Sequence, residues 1–245
     1  MRTVTGYNDG DHSHGVLFQI DLWNTNRFMD IRFHGEVNIP AGKVMLKGDL
    51  LIPRKAKGIV LFSHGSGSSR FSSRNRMVAQ HLNKNNFGTL LLDLLTTDED
   101  IHYHNRFDID LLTRRLIAAT EWLREQENTA GCQFAYFGAS TGAASALKAA
   151  AYLPWITAVV SRGGRPDLAL DVLENVEAPT LLIVGSLDFD VLELNKQAYI
   201  RLNCEKKLEV IAGATHLFEE PGKMLEVAEI ATGWFKKYLQ HTPVI

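Results

Sequence analysis

No stretch of this chain approaches eighteen consecutive apolar residues, so a membrane-spanning helix is not expected. The opening Met1–Arg2–Thr3–Val4 is not followed by the apolar core and small-residue cleavage site of a secretory signal, and the expected location is the cytoplasm. Cysteine is scarce: Cys132 and Cys204 are the only two, too few for a disulfide framework and outside any Cys-x-x-Cys spacing. Excess charge is missing too, since 26 basic residues face 28 acidic ones for a net charge of −2. That balance supplies no field for nucleic acid or an anionic membrane surface, and small molecules are the expected partners. With only seven prolines, no Pro-rich linker and no internal repeat, the chain offers no sign of a second folded domain.

What remains is ordinary globular material, 245 residues of which 45% are hydrophobic, enough for one well-buried core. Residues 1–35 are the least regular part and are read as an N-terminal extension. Phe18, Ile20 and Leu22 alternate with polar residues there, and His12 and His14 read as solvated. From residue 36 onward a single domain is expected. Val37–Ile39 and Val44–Ile52 flank Pro40–Gly42 as a hairpin. Apolar runs at Gly58–Ser63, Gly88–Asp93, Phe134–Phe137, Ile156–Ser161, Thr180–Gly185 and Lys207–Ile211 alternate with helical patterns, such as Ile109, Leu112, Leu116, Ala119 and Leu123. This alternation implies βαβ crossovers and an α/β fold: a mostly parallel sheet of eight strands, the first two antiparallel, with helices on both faces.

The chemistry centres on Gly138–Ala139–Ser140–Thr141–Gly142, where an apolar run breaks into Gly-x-Ser-x-Gly and then into an alanine-rich segment. A serine on a sharp strand-to-helix turn has its hydroxyl pushed outward by backbone strain, provided that small neighbours clear the space around it. The helix that follows aims its unpaired N–H groups at the same place, making the Thr141 N–H an oxyanion donor. Ligands in parallel sheets bind at the carboxyl ends of strands. Past the seventh and eighth strands stand Asp188 and His216, in that order after Ser140. A serine hydroxyl becomes a nucleophile when an imidazole takes its proton, and the imidazole needs a carboxylate to fix its tautomer. Asp190 competes with Asp188 for that last role.

From Val37 to the C-terminus, with Gly-x-Ser-x-Gly at 138–142 and the order Ser140, Asp188, His216, the chain resembles the dienelactone hydrolase-like branch of the α/β-hydrolases. The resemblance implies that Ser140 is the nucleophile, His216 the general base and then acid, and Asp188 the orienting carboxylate. It also implies that the His64–Gly65–Ser66–Gly67 turn completes the oxyanion hole through the Ser66 N–H. The best-known dienelactone hydrolases carry cysteine where this chain has Ser140, which weakens any expectation of a dienelactone substrate. The expected reaction is hydrolysis of a small carboxylic ester, thioester or lactone without metal or organic cofactor. Peptidase or acyltransferase activity on the same residues, or a non-catalytic binding role, are the alternatives.

Several further residues border the expected site. Arg70, Arg74 and Arg76 follow the His-Gly turn, and Arg162 and Arg165 follow the sixth strand. Any of these could hold a substrate carboxylate, and Arg70 and Arg162 are the two selected. His64 reads as a loop-holding residue, and His102 and His104 as surface residues ahead of a helix rather than metal ligands. The segment between the sixth and seventh strands, residues 162–179, is too short for a helical cap. A homodimer is possible.

Overall fold

The computed structural model describes residues 30–239. His12, His14 and the alternating segment at 18–22 lie outside them. Eight strands form one sheet in the order β1-β2-β4-β3-β5-β6-β7-β8. The strands are β1 Ile31–Ala41, β2 Val44–Pro53, β3 Gly58–Ser63, β4 Gly88–Leu92, β5 Gln133–Ala139, β6 Ala158–Arg162, β7 Thr180–Gly185 and β8 Lys206–Ile211. Only the β1–β2 and β2–β4 pairings are antiparallel. β1 begins before residue 36, so the boundary expected there falls inside a strand whose residues pair with β2 from Ile31 onward. Ala41 faces Val44 across a two-residue turn, and Gly42 takes a φ of +69°, the left-handed conformation such turns favour.

Each central strand is apolar on both faces because each face is covered. Ile59, Leu61, Leu90, Tyr136 and Leu182 point to one side, where they pack with α3 (Ile109–Arg124), α4 (Thr141–Tyr152) and α5 (Phe189–Arg201). Val60, Phe62, Leu91, Phe137 and Ile183 point to the other, against α1 (Ser73–Lys84) and α6 (Lys223–Tyr238). This period-two division places two cores on one sheet, the arrangement that parallel strands with helical crossovers require. The remaining helix, α2 (Thr97–Asp100), is a single turn closed by a capping box between Thr96 and Glu99, and a 3-10 turn at Tyr103–Phe107 follows. Between β6 and β7 there are only two 3-10 turns, Pro166–Ala169 and Leu173–Asn175, and no helical cap.

Candidate active site

Ser140 occupies the junction of β5 and α4 with φ +52° and ψ −124°, a conformation that a residue bearing a side chain adopts only under constraint. The constraint is visible in its neighbours. A Cβ added at Gly138 would lie 2.4 Å from the Ala143 Cα, and one added at Gly142 would lie 2.2 Å from the Ser63 carbonyl oxygen. Glycine at both places lets the chain turn this tightly against the end of β3. The turn is held from β6 as well: the Ser140 N–H donates to the Arg162 carbonyl at 3.2 Å, and the Arg165 N–H donates to the Ser140 carbonyl at 3.0 Å.

Asp188 follows β7 and is the cap residue at the start of α5, while His216 lies in the loop between β8 and α6. These two segments pack closely because Gly185 has no side chain; a Cβ there would meet the Ala214 carbonyl oxygen at 2.3 Å. The Leu187 N–H donates to that same oxygen at 3.0 Å. The result is a 2.6 Å hydrogen bond between His216 Nδ1 and Asp188 Oδ2, with the carboxylate largely buried. Asp188, and not its competitor Asp190, is therefore the partner of the imidazole. Two features missed in the sequence support the histidine. Gly163, at φ +51°, lies under the ring, and Glu220 Oε1 accepts from both the N–H and the hydroxyl of Thr215, at 3.0 and 2.6 Å. The Thr215 and Glu220 bonds hold down the residue before His216. Their sequence trace is slight, a threonine and a glutamate five residues apart.

Ser140, His216 and Arg162 line one cavity of about 250 Å³, together with Ser66, Arg74 and Asn75. Ser66 is thus beside Ser140, but its N–H is already engaged, donating to the Thr141 hydroxyl at 2.9 Å. Gly65 allows this closeness, since a Cβ on it would come within 2.9 Å of the Ser140 Cβ. His64 lies behind the same loop. Its Nδ1 donates to the Gly65 carbonyl at 3.0 Å and its Nε2 accepts from the Leu94 N–H at 3.2 Å. Burial pushes the His64 imidazole below the usual histidine range, so it serves as a neutral brace.

The two selected arginines part company. Arg70 was expected to meet substrate, but its guanidinium is spent on three carboxylates: Asp93 at 2.6 Å, Glu36 at 2.7 Å and Asp49 at 3.3 Å. It ties β1, β2 and the residue after β4 together and takes no part in the cavity. Arg162 does line the cavity. Its position follows from register, since it pairs with Ala139, the residue before Ser140. His102 and His104 are exposed, and among the described residues no group of three or more histidine, cysteine, aspartate or glutamate side chains is placed to hold a metal.

Comparison with known proteins bears on the fold and the family. The model of the dienelactone hydrolase family matches residues 46–240. The crystal structure of a dienelactone hydrolase from Anabaena variabilis is 51% identical and superposes with a TM-score of 0.83, covering 85% of this chain and 99% of that one. An esterase from Pyrococcus furiosus shares the fold at 18% identity and a TM-score of 0.73, over 84% of this chain and 92% of its own. A Mycobacterium tuberculosis protein named "Putative phosphoribosyl transferase" is 55% identical over 206 residues, which are 83% of this chain and 46% of that protein. The chain thus spans about half the length of the curated relatives it matches. With the family model covering most of its length, the chain belongs to the dienelactone hydrolase family and has the α/β-hydrolase fold.

Proposed function

We propose that this protein is a serine hydrolase that cleaves a small carboxylic ester through an acyl-Ser140 intermediate. The observation that carries the reading is one juxtaposition: a serine held at φ +52° on the strand-to-helix turn shares a cavity with His216, whose Nδ1 is bonded to Asp188. With Nδ1–H donating to the carboxylate, Nε2 keeps its lone pair and is the atom able to take the Ser140 proton. As the Ser140 Oγ–carbon bond forms, that proton moves to Nε2. The imidazolium then returns it to the departing alkoxide as the ester C–O bond breaks. Water attacks the acyl-enzyme next, giving its proton to Nε2. The acid is released when Ser140 Oγ recovers it. The negative charge that develops on the carbonyl oxygen is met by the Thr141 N–H at the start of α4. The Ser66 N–H joins only by sharing or giving up its bond to the Thr141 hydroxyl.

The phosphoribosyl transferase name of the mycobacterial protein belongs to a much longer chain, of which the matched residues are 46%, and a serine–histidine–carboxylate set is equipment for acyl transfer. Hydrolysis is favoured over transfer to a second substrate because, among the described residues, no helical cap stands between β6 and β7 to enclose the cavity against water. The test is turnover of a p-nitrophenyl ester by Ser140→Ala, His216→Ala, Asp188→Asn and Asp190→Asn. The first two should lose nearly all kcat, Asp188→Asn should lose roughly 10³- to 10⁴-fold, and Asp190→Asn should stay within about threefold. Near wild-type kcat in either Ser140→Ala or His216→Ala would remove the mechanism.

A further inference from the structure

Among the described residues, Arg162 is a cation without a counterion. It is only 4% exposed, and among the described residues no carboxylate lies within ion-pair distance of it. Its Nε is buried with no hydrogen-bond partner, and its guanidinium rests over the ring of Phe218 at 5.8 Å. A buried charge is normally paired within the protein, because an uncompensated one is costly to desolvate. Burial and the nearby Arg74 push Arg162 down to about 10, so it still carries its charge at neutral pH. None of the described residues supplies the missing partner, and the cavity leaves room for one from outside.

A second cation stands in the same wall. Arg74, in the first turn of α1, has one ion pair, Nη1 to Glu219 at 2.7 Å, and that glutamate is 62% exposed, so the pair is a weak surface one. The Nε of Arg74 is buried and unpartnered like that of Arg162. Donors therefore converge on the cavity from β6, from α1 and from the Ser66 turn, all beside Ser140. A planar carboxylate would satisfy a single guanidinium fork. Two repelling guanidiniums on different elements, with serine hydroxyls at Ser66, Ser68 and Ser72 in the same wall, suit a tetrahedral dianion with three terminal oxygens.

We propose that Arg162 and Arg74 form a phosphate-binding subsite next to Ser140 and that the protein's substrate is a small ester bearing a phosphate group. The substrate half of this statement rests on the ester-hydrolase reading; the binding half does not. In a cavity of about 250 Å³ the phosphate leaves room for only a short chain to the scissile carbonyl. The phosphate would neutralise the pair and fix the carbonyl over Ser140, lowering the cost of orientation in the reaction.

Two measurements on the full chain test this separately. The first is calorimetric titration of inorganic phosphate and, in parallel, acetate into wild type, Arg162→Met and Arg74→Met. Phosphate should bind wild type at least about tenfold tighter than acetate, and each substitution should weaken phosphate at least about tenfold. The Arg74 variant serves if Arg162→Met does not fold, because Arg74 is only part-buried. The second is kcat/KM for 2-acetoxyethyl phosphate, 3-acetoxypropanoate and neutral 2-hydroxyethyl acetate. Wild type should prefer the phosphate ester over both others by about tenfold or more, and that ratio should fall toward one in both variants. Phosphate binding that ignores both arginines would overturn the subsite, and a carboxylate ester used as well as the phosphate ester would overturn the substrate assignment. Arginine-dependent phosphate binding without turnover of any ester would retain the subsite and reject the hydrolase reading. Ester turnover without phosphate binding or preference would do the reverse.

Discussion

Gly142→Ala isolates the link between packing and chemistry in this fold, because it adds one methyl group to the turn that carries Ser140. That methyl would lie 2.2 Å from the Ser63 carbonyl oxygen and 2.5 Å from that of His64, where a carbon in real contact needs more than about 3 Å. Neither oxygen can yield cheaply. Ser63 is paired in register with Gly138, and its hydroxyl is bonded at 2.7 Å to Ser145 on α4. The relief must come from a shift of roughly 1 Å between the start of α4 and the end of β3, the two elements that carry Ser140 and the His64–Gly67 turn. Overpacking of this kind costs about 1–3 kcal/mol. In a chain of 245 residues each kcal/mol lowers Tm by about 2–4 °C. The same displacement of a reacting group costs about 10²-fold in rate, so kcat should fall far more than the folded fraction does. Gly233→Ala is the matched control. Gly233 is an exposed position in α6 with nothing within 4 Å of an added Cβ, and alanine there should stabilise by about 0.5–1 kcal/mol with no change in kcat. Differential scanning calorimetry and ester kinetics on both variants decide the matter. A Gly142→Ala protein with wild-type Tm and kcat would refute the argument that glycine is required for the elbow.

Two further outcomes follow from residues around the site. Arg70→Met should lower Tm, because it leaves Glu36, Asp49 and Asp93 facing one another without their shared cation, while KM for any ester stays within about twofold; a large rise in KM with an unchanged Tm would restore Arg70 as a substrate ligand. His64 is buried neutral, so below the ordinary histidine value of 6.5 the unfolded chain binds a proton that the folded one refuses, and the stability this site provides is complete above that pH and lost as pH falls below it. In urea melts from pH 7.5 to 4.5, His64→Gln should flatten this acid-side decline, and an unchanged slope would show that His64 does not contribute to it.

The sheet was legible because burial on both faces writes itself as short continuous apolar runs, and β7 was delimited to the residue, Thr180–Gly185. Strand ends also announced Ser140, Asp188 and His216, since in a parallel sheet position along the chain already selects an edge. Other features depended on contacts that no local pattern encodes. Whether Arg70 or Arg162 meets the cavity turns on Glu36 of β1, Asp49 of β2 and Asp93 just past β4, which capture the first arginine only after the sheet has formed. Asp188 and Asp190 are two residues apart, and only the packing of Gly185 against Ala214 shows which one reaches His216. α5 starts at Phe189, directly after Asp188 closes the preceding turn through its N–H to the Gly185 carbonyl. The single turn α2 carries its own local signal in the sequence, the Thr96-x-x-Glu99 capping box.

The most direct test of the central claim, that Ser140 is an activated nucleophile, is covalent labelling by a fluorophosphonate followed by peptide mass spectrometry. Wild type should gain one adduct, carried by Ser140. Ser140→Ala should gain none, and His216→Ala should label far more slowly because its serine has lost the base that takes the proton. Labelling that persists in Ser140→Ala, or an adduct mapped to another serine such as Ser66 or Ser68, would contradict the account.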